Sequence, residues 1–174
     1  MKTKLNQSKI KLAIATAIIA GAMGLSATSY AATDTSTMTV STTVLMSCNI
    51  SAGAMTFASY DPTVDADSNA EATINSTCTS GGAAVITMGQ GQGGHTDSSD
   101  TSPMRQMTAG TEKLDYVVYS DSGRSTEWGN TSATGVSVTG TGSAQSLTAF
   151  GKITGLQQVS AVSFTDSVTV TVTY

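Results

Sequence analysis

The chain has 174 residues, of which 11% are charged and 5% aromatic, with a formal net charge of −4 at pH 7. That balance disfavours nucleic acid and anionic membrane as partners, since no cluster of Lys and Arg stands outside Lys2 to Lys11. The length suits one domain with enough residues for a real core.

Lys2, Lys4, Lys9 and Lys11 give a basic start, Leu12 to Leu25 is an apolar run, and Ser29-Tyr30-Ala31 is a small-x-small pattern. These are the three parts of a secretory signal peptide over residues 1–31, cut after Ala31. The run falls short of the roughly 20 residues that a spanning helix needs, so no membrane insertion is expected. The exported product keeps Arg105, Lys113, Arg124 and Lys152 against all 12 acidic residues. Its two cysteines, Cys48 and Cys78, are an even count in an oxidising compartment, which reads as one disulfide.

Beyond residue 31 no stretch keeps a helical period, and Thr, Ser, Gly, Ala and Val dominate. The expectation is an all-β fold. Thr33 to Ser47 alternates, with Met38, Val40, Thr42, Val44 and Met46 in one phase. It is long for one strand. Ser51 to Asp61 carries Gly53, Phe57 and Tyr60 and ends on the turn signal Asp61-Pro62. Ala70 to Cys78 alternates again, Gly81-Gly82 turns the chain, and Ala83 to Met88 is a short apolar strand. Gly89 to Pro103 is a glycine and serine loop. Lys113 to Ser120 is a strong strand, with Leu114, Tyr116 and Val118 on one side. Asp121 to Asn130 is a polar connection, Gly135 to Gly140 and Ser146 to Ile153 are further strands, and Ser163 to Tyr174 closes the chain. In that last stretch Val168, Val170, Val172 and Tyr174 share a face opposite Thr169, Thr171 and Thr173. A row of valines needs a cover, since burying each is worth roughly 1.5–3 kcal/mol. About seven strands separated by turns suggest an immunoglobulin-like β-sandwich.

Candidate chemistry is sparse. Gly89-Gln90-Gly91-Gln92-Gly93-Gly94 matches G-x-G-x-x-G after a strand, but His95 to Asp100 shows no helix to hold a pyrophosphate. His95 with Asp97 and Asp100 is a weak metal pattern on a loop. Asp61, Asp65 and Asp67 lack the glycine and the final Glu of an EF-hand loop. No G-x-S-x-G elbow accompanies the single histidine. The chain reads as a non-enzyme without cofactor or metal. Arg105 and Arg124 read as loop ion-pair cations. Trp128 reads as the edge of the core, with sugar binding as the alternative.

The landmarks in order are Cys48; Phe57 with Tyr60; Cys78; Arg105 with Met107; Leu114, Tyr116 and Tyr119; Asp121; Trp128-Gly129; Phe150-Gly151-Lys152-Ile153 with Gln157; and Asp166-x-Val168-x-Val170-Thr171-Val172-x-Tyr174. With them the chain resembles the spore coat protein U domain family, including subunits of archaic (Csu-type) chaperone–usher pili. The resemblance runs from about Val40 to the C-terminus; it departs where the usual Gly-x-Tyr is Val162-Ser163-Phe164.

The resemblance implies an immunoglobulin-like sandwich that lacks its last strand, over residues 44–174. Residues 32–43 would be a donor-strand extension, with Met38, Val40 and Thr42 facing the neighbour. Val168, Val170, Val172 and Tyr174 would wall the acceptor groove. The implied partners are a periplasmic pilus chaperone, an outer-membrane usher and neighbouring pilin subunits. The implied place is an extracellular pilus serving attachment and biofilm formation, with this chain as a rod or minor shaft subunit. The alternatives are a tip or adaptor adhesin that binds a surface or sugar, and a self-contained secreted coat protein.

Overall fold

The computed structural model describes residues 30–174, so the signal-peptide expectation lies outside the described residues except at Tyr30 and Ala31. The chain divides into two units, residues 1–41 and 42–174. The described part of the first, residues 30–41, forms no strand and is exposed throughout. Met38 and Val40 are 85% and 80% exposed. The expected strand over Thr33 to Ser47 is therefore absent, because alternation becomes a strand only where a neighbouring backbone takes up its hydrogen bonds. The first strand begins at Cys48.

Among the described residues the second unit holds eight strands and no helix. They are β1 Cys48–Ala52, β2 Ser68–Cys78, β3 Ala83–Met88, β4 Arg105–Ala109, β5 Glu112–Tyr119, β6 Val136–Thr139, β7 Ala144–Ile153 and β8 Val170–Thr173. One sheet has the order β1-β2-β7-β5-β4, the other β6-β3-β8, with all neighbours antiparallel. This is an immunoglobulin-like sandwich.

The inward faces follow from the period of two. In β2, Ala70, Ala72, Ile74, Ser76 and Cys78 are buried, and the residues between them are exposed. In β5, Leu114, Tyr116 and Val118 point inward, and in β3 Ile86 is fully buried. Trp128 fills the centre, and its indole Nε1 donates to the Ile86 carbonyl at 2.8 Å. It is core rather than core edge, and nothing of its ring is free for a sugar.

Strand β4, like β1, is one that the sequence did not announce. Its inward residue is Arg105, 1% exposed, where a strand would ordinarily place an apolar side chain. Among the described residues the guanidinium makes no ion pair. Nε donates to Gly89 O at 2.8 Å, and one terminal nitrogen donates to Met88 O at 3.0 Å and Trp128 O at 2.7 Å. Burial pulls its pKa below the ordinary arginine value, against the opposing fields of Tyr116, Glu127 and Asp166. Arg124 likewise forms no ion pair. It donates to Gly151 O at 3.2 Å and lies 5.7 Å above the Phe150 ring centroid.

Cys48 and Cys78 are disulfide-bonded across paired β1 and β2. Replacing both by serine is expected to lower the unfolding free energy by about 3–4 kcal/mol, because the bond closes a long loop. The midpoint of denaturant unfolding measures this.

Three exposed carboxylates are held below their ordinary range by local donors. Asp61 accepts from the Thr63 hydroxyl at 2.7 Å and the Thr63 amide at 2.9 Å. Glu112 accepts from the Ser160 hydroxyl and the Ser160 amide. Asp121 accepts chiefly from the Thr126 amide at 2.6 Å, then from Ser125. A depressed folded pKa contributes stability above the unfolded carboxylate value, roughly pH 4, that is lost as pH falls through the folded value. The thermal midpoint is expected to hold above pH 5 and to drop progressively below pH 4.

Candidate functional site

The two sheets do not close on each other along their whole length. Strand β8 pairs with β3 along one edge, Val85↔Thr173 to Met88↔Val170, and among the described residues has no strand on its other edge. The regular strand is shorter than the alternation of Ser163 to Tyr174 suggested. Val168 lies before it and Tyr174, 58% exposed, beyond it. Val168, Val170 and Val172 remain half-buried on the inward side, and Thr169, Thr171 and Thr173 are exposed.

Beside that edge lies an open cleft of about 900 Å³. Its floor is the core itself: Ile74, Met88, Leu114, Val118 and Ile153. Its rim is made by Met55, Phe57 and Tyr60 from the chain after β1, and by Val159, Phe164 and Val168 before β8. Tyr60 is fixed by its hydroxyl, which donates to Thr154 O at 3.0 Å and accepts from the Gln157 amide at 2.7 Å. Phe57 meets Tyr116 edge to face, with ring centroids 6.2 Å apart. The cleft thus exposes the interior of a sandwich along an unpaired strand edge. Such an edge templates the pairing of another strand.

The lead-in to β8 is pinned by Asp166. One carboxylate oxygen accepts from the amides of Gln92 at 2.8 Å, Gly93 at 3.1 Å and Ser167 at 2.7 Å, and the other accepts from the Tyr116 hydroxyl at 2.7 Å. Burial, then the bond to Asp166, pushes the Tyr116 phenol well above its usual value. The glycine-rich loop therefore does cradle an anion, as consecutive backbone amides can. The anion is the chain's own carboxylate. Gly91, at φ 81°, could carry no side chain, since a Cβ there would strike Asp166. One residue earlier, Thr165 bridges Thr108 through two backbone bonds of 2.8 and 3.1 Å.

The other candidates do not gather into sites. His95 Nδ1 accepts the Asp97 amide at 3.0 Å, while Asp100 takes the Asn130 amide at 2.7 Å. Asp61 serves Thr63, and Asp67 pairs with Lys152 at 3.3 Å. Among the described residues no three His, Cys, Asp or Glu side chains are placed to share a metal ion. No helix among them is long and apolar enough to cross a membrane.

The sequence profile of the Spore Coat Protein U domain matches residues 34–171. The chain belongs to the spore coat protein U domain family. It is 32% identical over 176 residues to Protein U of Myxococcus xanthus, covering 95% of this chain and 98% of that protein. Among solved structures it is similar, with a TM-score of 0.55 and 18% identity, to a chain from the CsuC–CsuE chaperone–tip adhesion subunit pre-assembly complex of the archaic chaperone–usher Csu pili of Acinetobacter baumannii. That match covers 76% of this chain and 40% of the other's length, and at such identity the likeness concerns the fold alone.

Proposed function

We propose that this chain is a structural subunit of a chaperone–usher pilus that polymerises by donor-strand exchange. The observation that carries this reading is the unpaired edge of β8, where Val170, with Val168 just before the strand, borders a cleft reaching the core floor. An edge of this kind is completed by β-augmentation. Residues 32–43 are the donor: Met38, Val40 and Thr42 share one phase, and Met38 and Val40 are apolar and exposed. In the periplasm a pilus chaperone fills the cleft with its own strand. At the outer-membrane usher the extension of the next subunit replaces it, and the product is an extracellular pilus serving attachment and biofilm formation. Val168, Val170 and Val172 form the acceptor wall; Tyr174 stands at its end. A donor-like extension of its own favours a rod or minor shaft place over a tip. The role is structural, without catalysis or cofactor.

The test is deletion of residues 32–43. Unboiled on a denaturing gel, the exported full chain is expected to run as a ladder, and the deletion to abolish the ladder while a co-expressed pilus chaperone still co-purifies. A persisting ladder overturns the donor assignment, and loss of the chaperone too contradicts it.

The Spore Coat Protein U profile and the 32% identity with Protein U over nearly all of that protein favour a second reading, a coat component; in it the chain's own N-terminal segment would close the sandwich. That reading predicts a monomer at every concentration and no filament on the cell surface by immunogold microscopy.

A further inference from the structure

Just beyond the inner end of the cleft the inward face of β2 and β7 turns from apolar to polar. Ser76 follows Ile74 on the inward face of β2 and is 2% exposed, and its cross-strand partner on β7 is Gln145. Neither Ser76 Oγ nor Gln145 Oε1 has a hydrogen-bond partner, although both atoms are buried. A buried hydroxyl left unpaired is costly, and the large majority of such atoms find a partner. Ile74 lines the cleft, and Ser76 lies one inward step beyond it, roughly 7 Å along the strand. That end is where β8 finishes: Thr173 pairs with Val85, and the Cys78 carbonyl receives the Gly142 amide nearby.

The proposed donor segment has matching chemistry. In its inward phase the apolar pair Met38 and Val40 is bracketed by hydroxyl residues, Ser36 on one side and Thr42 on the other. A strand that seats the apolar pair over the core floor brings one of these hydroxyls to the inner end of the cleft, whichever way it runs. Antiparallel to β8 it is Ser36, and parallel to β8 it is Thr42.

Resting on the donor-strand reading, we propose that Ser76 and Gln145 form a polar register lock that takes the bracketing hydroxyl of a second copy's donor segment. A slip by two residues puts Met38 or Val40 against the unpaired atoms and leaves a hydroxyl over the apolar floor, so the lock selects one register where simple alternation allows several.

The experiment follows the dissociation of the gel ladder of the exported full chain at a fixed temperature, in Ser76→Ala, Ser36→Ala, Thr42→Val and the two double variants with Ser76→Ala. Expected is about tenfold faster dissociation for Ser76→Ala and for one of the two donor variants. The double variant of that pair is expected to be no faster than either single one. Unchanged rates overturn the lock. Effects that multiply in both doubles also overturn it, since they show Ser76 acting on the fold alone. Should the unaltered chain give no ladder, the subunit reading itself falls, and the lock with it.

Discussion

Val170→Asp is expected to abolish the ladder of assembled subunits while leaving the monomer folded. Val170 sits where β8 meets the cleft, half-buried in the unassembled chain and open to water on one side. A carboxylate there stays hydrated until a strand lies against it. Assembly would then strip its water as the incoming strand covers the cleft. A desolvation cost of about 4 kcal/mol corresponds to roughly a thousandfold loss of affinity. Thr171→Asp, one residue on and facing outward, is the control and should keep the ladder. Equal ladders from Val170→Asp and the parent chain would show that β8 is not an assembly surface.

Arg105→Ala is expected to be the most damaging single truncation for the fold itself. It removes three charge-assisted hydrogen bonds and leaves the carbonyls of Met88, Gly89 and Trp128 without their donor. The cost is on the order of 4 kcal/mol, a large part of the stability of an ordinary domain. Lysine is not expected to rescue it, because one ammonium cannot reproduce the planar fork that reaches three carbonyls. Urea unfolding of the parent, Arg105→Ala and Arg105→Lys chains checks both statements. A loss under 1 kcal/mol in Arg105→Ala would mean that water takes over those carbonyls.

The contrast between these residues explains what could be read from the amino acids. Strands β2, β3, β5, β6 and β7 lay within two residues of their sequence-based bounds, because β2 and β6 alternate, β5 and β7 largely do, β3 is a short apolar run, and turn residues bound them. The half-buried valines of the last stretch were equally plain. Strand β4 was invisible because its key inward residue is an arginine, and no periodicity rule scores a buried cation as core. The only hint was the phase that Arg105 shares with Met107 and Ala109. The last strand was overestimated for a related reason. Thr165 and Asp166 look like strand residues, yet their bonds go to Thr108, the glycine loop and Tyr116, so regular pairing starts only at Val170. The glycine loop is followed by no helical pattern, and no local pattern tells that its amides close on a carboxylate 73 residues further along. Residues 33–47 show the converse. Their strand-like pattern is genuine, and in the single chain it forms no strand at all.

The disulfide stands at a mechanically telling place. The chain entering the sandwich is gripped at Ser47, whose amide donates to the Thr79 hydroxyl at 3.0 Å and whose carbonyl accepts the Thr79 amide at 2.9 Å. The very next residue is covalently tied to Cys78. A tug on the leading segment therefore bypasses the peripheral strand β1 and arrives on β2, whose long register with β7 shears only if many bonds break together. Stress enters the sandwich through its strongest pair of strands, so a filament of such units would resist peeling from the tether point even under flow.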